Sequence, residues 1–328
     1  MSDQSGYESA RDDLRELRPV RDSPPDFLRF WRTTMNELAD TPPAVSRRAR
    51  AERDGLRLED VEFSSLGTQR VGGYLLKWTD SVPRPLIVHS HGYGSQCEPQ
   101  WGWAARGANV LGVDVRGFGR SADAAARLSV WGFMLTGRQS PETHVLRGAV
   151  CDVVRAVQVA SDLCTGQVSR LVLHGASFAG ALALMSEALL QKADLLTVAV
   201  PTFGWTEARH FFVRAGSGSE VNEYLRQHPD EAEDLMLVLR YFDTMNFAPL
   251  ISCPTLMGVG ITDDVVPSPT VYAIANHLSC PTEVMEFPVS HSDAPEEQLW
   301  QHFEERWLML ALDGLPATFG RDTQRTRT

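Results

Sequence analysis

The spacing of apolar residues divides the chain into a short leading part and a long alternating one. In PPDFLRFWRTTMNELAD, Phe27, Phe30, Trp31 and Leu38 recur at helical spacing, so a helix with one apolar stripe is expected, with Pro25 and Asp26 near its start. LRLEDVEFSSLGTQRVGGYLLKWT reads as two strands joined at LGTQ, because its second half alternates apolar and polar residues. From Pro85 the pattern changes. Short runs of apolar β-formers occur in PLIVHSHG, ANVLGVDVRG, RLVLHGAS, LLTVAVP, CPTLMGVG and TEVMEFPV. Helical patterns over 100–106, 145–163, 178–193, 268–278 and 296–312 separate them. Strands alternating with helices predict an α/β fold with a doubly wound, mostly parallel sheet, and the leading hairpin supplies N-terminal antiparallel strands.

The regular alternation is broken once. Residues 202–249 read as a helical insertion between two core strands, and insertions at such places commonly cap a site. Residues 1–25 are polar, hold three prolines and are expected as a loose or peripheral N-terminal arm. Residues 26–318 then form a single domain, and 319–328 a frayed tail. The opening stretch has no apolar core, so no secretory signal is expected. No apolar run approaches the ~20 residues that cross a bilayer. The five cysteines are scattered without C-x-x-C spacing, which argues against a zinc or redox motif and for reduced thiols in the cytoplasm. A net charge of −11 disfavours a nucleic-acid partner, which needs a basic face.

Chemistry concentrates at LVLHGASFAGALALM. A strand pattern ends at Gly175-Ala176-Ser177-Phe178-Ala179 and a helix pattern follows. This is the context of the nucleophile elbow G-x-S-x-G of an α/β-hydrolase fold, with Ala in the fifth position. That fold places its acid and histidine later, in the order Ser, Asp, His. CPTLMGVGITDDVVPS delivers Asp263 and Asp264 after one strand, and TEVMEFPVSHSDAP delivers His291 after the next. In this reading Ser177 attacks, His291 takes its proton, and Asp263 orients the imidazole. Asp263 as a helix cap, Asp264 as a solvated charge and His291 as a surface histidine are the structural alternatives. An oxyanion needs two N–H donors. Phe178, following the nucleophile, offers one, and Tyr93 in VHSHGYGS is the candidate for the other, the alternative being a glycine-bracketed turn with a buried phenol. His89 and His91 read as structural.

Five motifs in order carry a resemblance. They are the opening helix, HGYG, DVRGFGRSAD, GFMLTGRQSPETHVLRGAVCDVVRAV and GITDDVVPSPTVYAIANHL. Together they resemble carbohydrate esterase family seven, the acetyl xylan esterases and cephalosporin C deacetylases. The resemblance implies a cytosolic serine esterase without metal or cofactor that deacetylates a small-molecule ester and assembles as a homo-oligomer, typically a hexamer. It also implies Ser177, Asp263 and His291 as triad, and Tyr93 and Phe178 as oxyanion donors. The chain departs from the family pattern at Phe118, where the family has Gln, at Ala179, where it has Gly, and at Ser292, where it has Glu. Arg116 is expected as a structural support that holds loop carbonyls in a fixed fork. Trp131, Phe133, Phe203, Trp205, Phe211 and Phe212 are candidates for the pocket, with FGWTEARHFF as a wall for the acyl or alcohol side. Acyl transfer to an alcohol by the same triad, a non-catalytic binding module and a related serine peptidase are the competing functions.

Overall fold

The computed structural model describes residues 11–124, 128–213, 215–288, 290 and 297–320; the side chains of 124 and 297–299 are outside that description. The strands are β1 (Ser46–Arg53), β2 (Leu56–Ser64), β3 (Arg70–Trp78), β4 (Arg84–His89), β5 (Asn109–Asp114), β6 (Val168–Ala176), β7 (Leu195–Ala199), β8 (Thr255–Gly260) and β9 (Thr282–Phe287). The helices are α1 (Phe27–Ala39), α2 (Trp101–Ala105), α3 (Val145–Leu163), α4 (Phe178–Leu190), α5 (Thr206–Phe212), α6 (Ser217–Gln227), α7 (Ala232–Leu239), α8 (Thr244–Phe247), α9 (Ser268–Ala275) and α10 (Glu297–Asp313).

The strands form one sheet in the order β1-β2-β3-β5-β4-β6-β7-β8-β9. β1, β2 and β3 pair antiparallel, β3 joins β5 antiparallel, and all later pairings are parallel. β5, β7 and β8 are buried at every residue, as strands covered on both faces must be. Alternation along β6 shows the two layers. His174 stacks on Trp307 of α10 at 4.1 Å, while a Cβ on the next residue, Gly175, would meet the Ala179 backbone of α4 at 2.4 Å. The fold is that of the α/β-hydrolases, as the sequence pattern predicts, and α5 to α8 form the insertion between β7 and β8.

Two features differ from expectation. β1, SRRARAER, has no apolar period, and all eight of its residues are exposed. It is an edge strand whose arginines pair across to Glu59 and Asp60 of β2, and charge of this kind protects an open edge. The arm expected to be loose or peripheral is tied down where it is described. Residues 11–16 are helical, and Arg11 and Arg15 both bond Glu286 on β9. Tyr272 bonds the same carboxylate. Burial alone would raise the Glu286 pKa, but these donors outweigh it and hold it down at about 2. The apolar stripe of α1 is buried as expected, with the Trp31 indole N–H donating to the Tyr241 carbonyl of the insertion at 3.0 Å.

Candidate active site

The loops that follow β4, β6, β7 and β8 meet at one edge of the sheet, where open parallel sheets gather their ligands. They surround a cavity of about 700 Å³ whose wall includes Tyr93, Ser177, Thr202, Ser217 and Val265. Its size suits a small-molecule ligand.

Ser177 occupies the corner between β6 and α4 with φ 54° and ψ −116°, a region that a residue bearing a Cβ rarely adopts. Three things hold it there. Gly175 leaves room for the helix, as described above. The Ser177 N–H donates to the Ala199 carbonyl of β7 at 2.9 Å, and its own carbonyl accepts from Ala181 at 3.0 Å. The side chain is half-buried and on the cavity wall, so a strained turn presents a hydroxyl to open space. Ala179 is accommodated, 2% exposed, where the family pattern has glycine.

Phe178 begins α4, so its N–H is among those with no partner inside the helix. Among the described residues, neither that N–H nor the one of Tyr93 donates to a protein acceptor. The direction of the Tyr93 N–H follows from its peptide plane. The Gly92 carbonyl accepts from His91 Nδ1 at 2.9 Å and from the Ser95 N–H at 3.1 Å. In a planar trans peptide the Tyr93 N–H points the other way. His91 is fixed in turn, since its Nε2 accepts from the Val115 N–H at 3.2 Å, which leaves the proton on Nδ1. Burial lowers the His91 pKa, which favours this neutral form. His91 therefore orients the loop peptide, a structural role as expected. His89 is neutral for the same reason, pushed down to about 4 by burial, and is bonded by the Tyr74 hydroxyl at 2.6 Å.

An aromatic cluster lies behind both N–H groups. Tyr93 and Phe178 meet edge to face at 5.6 Å, and Phe118 contacts them at 5.6 and 5.9 Å. Phe133 completes the group, 4.7 Å from Phe118. Phe118 thus fills its place by packing, without the hydrogen bonds a glutamine would make.

Asp263 is 5% exposed in the loop after β8. Its Oδ1 accepts from the N–H groups of Val265 and Val266, both at 2.9 Å, and from Ser290 Oγ at 3.3 Å. It caps its own loop and receives a hydroxyl from the residue that precedes His291 in sequence. Asp264 is exposed. His291 and Ser292 lie outside the described residues.

Arg116 holds the Leu66 carbonyl at 3.2 Å, a loop carbonyl as expected, but its main partner is Asp152. Nε and Nη2 reach the two Asp152 oxygens at 2.9 and 2.7 Å, and the Arg116 N–H adds a third bond at 2.9 Å. Gly148, one turn earlier on α3, is required, because a Cβ there would sit 2.1 Å from Nη1. The Gly148–Asp152 spacing on one helix face was a signal available in the sequence.

The aromatic wall falls elsewhere. Phe133 and Phe203 are in or against the cluster, Trp131 packs on Tyr224 and His228, and Phe211 and Phe212 are exposed. Of the residues described here, Thr202, Ala215, Gly216 and Ser217 represent the insertion side on the cavity, and FGWTEARHFF does not. His174 also lines the cavity, unforeseen, with Nδ1 2.9 Å from Thr197 Oγ1. Among the described residues no three His, Cys, Asp or Glu side chains group as metal ligands, and no helix is long and apolar enough to cross a membrane.

Residues 8–308 match the family model described as acetyl xylan esterase. The chain belongs to that family. It is 23% identical over 288 residues to an acetyl esterase of Xylanibacter ruminicola, a match over 84% of this chain and 64% of that protein. It thus spans less than two thirds of that relative's length. An acetyl xylan esterase from Paenibacillus sp. R4 superposes with a TM-score of 0.80 at 24% identity, covering 90% of this chain and 98% of that one. Acetyl xylan esterase 1 from Thermoanaerobacterium sp. JW/SL YS485 gives 0.79 at 22% identity, with the same coverage. The acylaminoacyl peptidase of Pyrococcus horikoshii is more distant, at 0.61 and 16%, and only 43% of that chain is covered.

Proposed function

We propose that the chain is a serine esterase that removes small acyl groups, acetyl foremost, from an acetylated sugar or specialised metabolite. Ser177 Oγ attacks the ester carbonyl as its proton passes to His291, and Asp263 stabilises the imidazolium. The tetrahedral oxyanion is held by the N–H groups of Tyr93 and Phe178. The alcohol leaves with the proton from His291, and an acyl group remains on Ser177. Water, deprotonated by His291, then releases the acid and restores the serine.

The observation that carries this reading is the Ser177 corner, a strained hydroxyl on the wall of a cavity that Tyr93 also lines, with the Tyr93 and Phe178 N–H groups having no protein acceptor among the described residues. The Ser290–Asp263 bond supports it, since it ties the acid to the segment that leads into His291. Membership of an acetyl xylan esterase family supports the acetyl preference.

Hydrolysis of p-nitrophenyl acetate, butyrate and octanoate by wild type and Ser177→Ala tests it. The expected result is fastest turnover of acetate and a loss on the order of 10⁴-fold or more in the variant. Equal rates for the two proteins would remove Ser177 from the mechanism. Failure of a fluorophosphonate to label Ser177 would point to a hydrolase fold kept for binding.

A further inference from the structure

The helical insertion reaches the Tyr93 loop through one side chain. Glu220 lies in the first turn of α6, and both its oxygens serve groups outside that helix. Oε1 accepts the Tyr93 hydroxyl at 2.5 Å, and Oε2 accepts the Met134 N–H at 3.0 Å. Gly132 lies against the same carboxylate so closely that a Cβ there would sit 2.2 Å from Oε2. The two residues that open α6, Gly216 and Ser217, are on the cavity wall.

Tyr93 needs such an anchor. It is flanked by Gly92 and Gly94, and a Cβ on either would meet nothing within 4 Å. Gly94 also has φ +74°, open only at a cost to other residues. Side chains at 92 and 94 thus contribute no restraint, and among the described residues the peptide before Tyr93 is oriented by His91 and Ser95. On the other side the restraint is the Tyr93 side chain, with its ring in the aromatic cluster and its hydroxyl on Glu220.

We propose that Glu220 is a positioning residue for the oxyanion hole: by holding the Tyr93 hydroxyl it fixes the Tyr93 N–H and couples it to the cavity wall formed by α6. This rests on the esterase reading above. A donor displaced by a fraction of an ångström weakens the oxyanion more than the ground-state ester, so the effect belongs in kcat. A purely structural Glu220 would act through Met134 and leave Tyr93 indifferent.

The test uses Glu220→Ala, Glu220→Gln, Tyr93→Phe and the double variant Tyr93→Phe/Glu220→Ala in the full chain. Glu220→Ala should lower kcat on p-nitrophenyl acetate about tenfold to a hundredfold, with KM within about threefold. Affinity for a boronate transition-state analogue should weaken in step with kcat/KM. Glu220→Gln, whose carboxamide can still meet Tyr93, should recover most of the loss. Tyr93→Phe leaves the Glu220–Met134 bond intact, and remains informative if Glu220→Ala does not fold. It should lower kcat similarly, and the double variant should be no worse than the poorer single variant. Amide hydrogen exchange in residues 91–97 should quicken in Tyr93→Phe and Glu220→Ala, with the melting temperature nearly unchanged. Additive losses in the double variant, an unchanged kcat, or unchanged exchange in 91–97 would each overturn the proposal. A wild type inactive on every ester would overturn the esterase reading, and the exchange measurement would still decide whether Glu220 holds Tyr93.

Discussion

Acidification sets buried histidines against buried carboxyl groups, Glu187 foremost, and the balance gives a stability slope that can be measured. Burial lowers the pKa of His89 and His144 from 6.5 to about 4, and that of His174 to about 3. All three are neutral in the fold. Above pH 6.5 they are neutral unfolded as well, so their contribution is fully present there. It is lost as the pH falls from 6.5 towards 4, because the unfolded chain takes up protons that the folded chain refuses. Glu187 has the opposite sign. It is completely buried, and burial raises its pKa from 4.5 to about 7. Its contribution is present below pH 4.5 and is lost as the pH rises through 7. For these four groups, between pH 6 and 5 the unfolded state therefore binds nearly three protons that the folded state lacks, and lacks nearly one that the folded state holds; His91, His210 and His277, also lowered by burial, add to the slope, and Asp243, raised by burial, opposes it. The net of about two protons corresponds to a slope of about 2.5 kcal/mol per pH unit. Against a total stability of about 5–15 kcal/mol this is a large loss.

Urea unfolding followed by tryptophan fluorescence at pH 6.5, 6.0, 5.5 and 5.0 measures it. The midpoint should fall steadily with pH at constant m. Glu187→Gln removes one opposing group, so its slope should steepen by about 1.3 kcal/mol per pH unit. A midpoint that is level or rises on going from pH 6.5 to 5.0 would refute the reasoning. So would a Glu187→Gln slope equal to that of the wild type. Below pH 4.5 a further loss is expected, because Glu286 takes up a proton in the unfolded chain while Arg15, Tyr272 and Arg11 hold it down at about 2 in the fold.

Two further changes test the packing around the site. Asp152→Ala leaves the Arg116 guanidinium buried without its carboxylate and should cost about 3–5 kcal/mol in urea unfolding, while the paired change Arg116→Met/Asp152→Leu should recover much of it. Phe118→Ala removes contacts to both Tyr93 and Phe178. It should cost stability toward the low end of the about 3–5 kcal/mol seen for core Phe→Ala, since Phe118 is only half-buried, and should lower kcat more than it raises KM.

The parts legible in the sequence were those whose signal is local. The elbow is a strand pattern, a small-residue corner and a helix pattern within fifteen residues, and the structure has β6, Ser177 and α4 in that order. The apolar face of α1 and the buried strands were legible because burial writes a period into the sequence. β1 writes none, since every residue on it faces water and its position is set by pairing with β2. The Glu220–Tyr93 bond joins residues 127 apart, and His174 reaches the cavity through a stack on Trp307. Neither partner has a local feature that names the other. The aromatic segment after β7 misled for another reason: Phe203 is buried against the cluster while Phe211 and Phe212 are exposed, and none of the three is on the cavity wall.

The Arg116–Asp152 pair and the aromatic cluster divide one task between them. The loop after β5 carries both Arg116 and Phe118. The arginine ties that loop to α3 by charge-assisted bonds, and the phenylalanine carries the fixed position onward to Tyr93 and Phe178 by contact alone. Charge is spent where it is buried and paired, away from the reacting atoms. The Phe118 and Phe133 rings packed with Tyr93 and Phe178 carry no hydrogen-bond acceptor of their own. A donor kept free in a low-dielectric surrounding is worth more to a developing oxyanion than one that must first break a bond to the protein. Phe118 holds its side of the Tyr93 loop by contact, and His91, Ser95 and Glu220 are polar ties of that loop among the described residues.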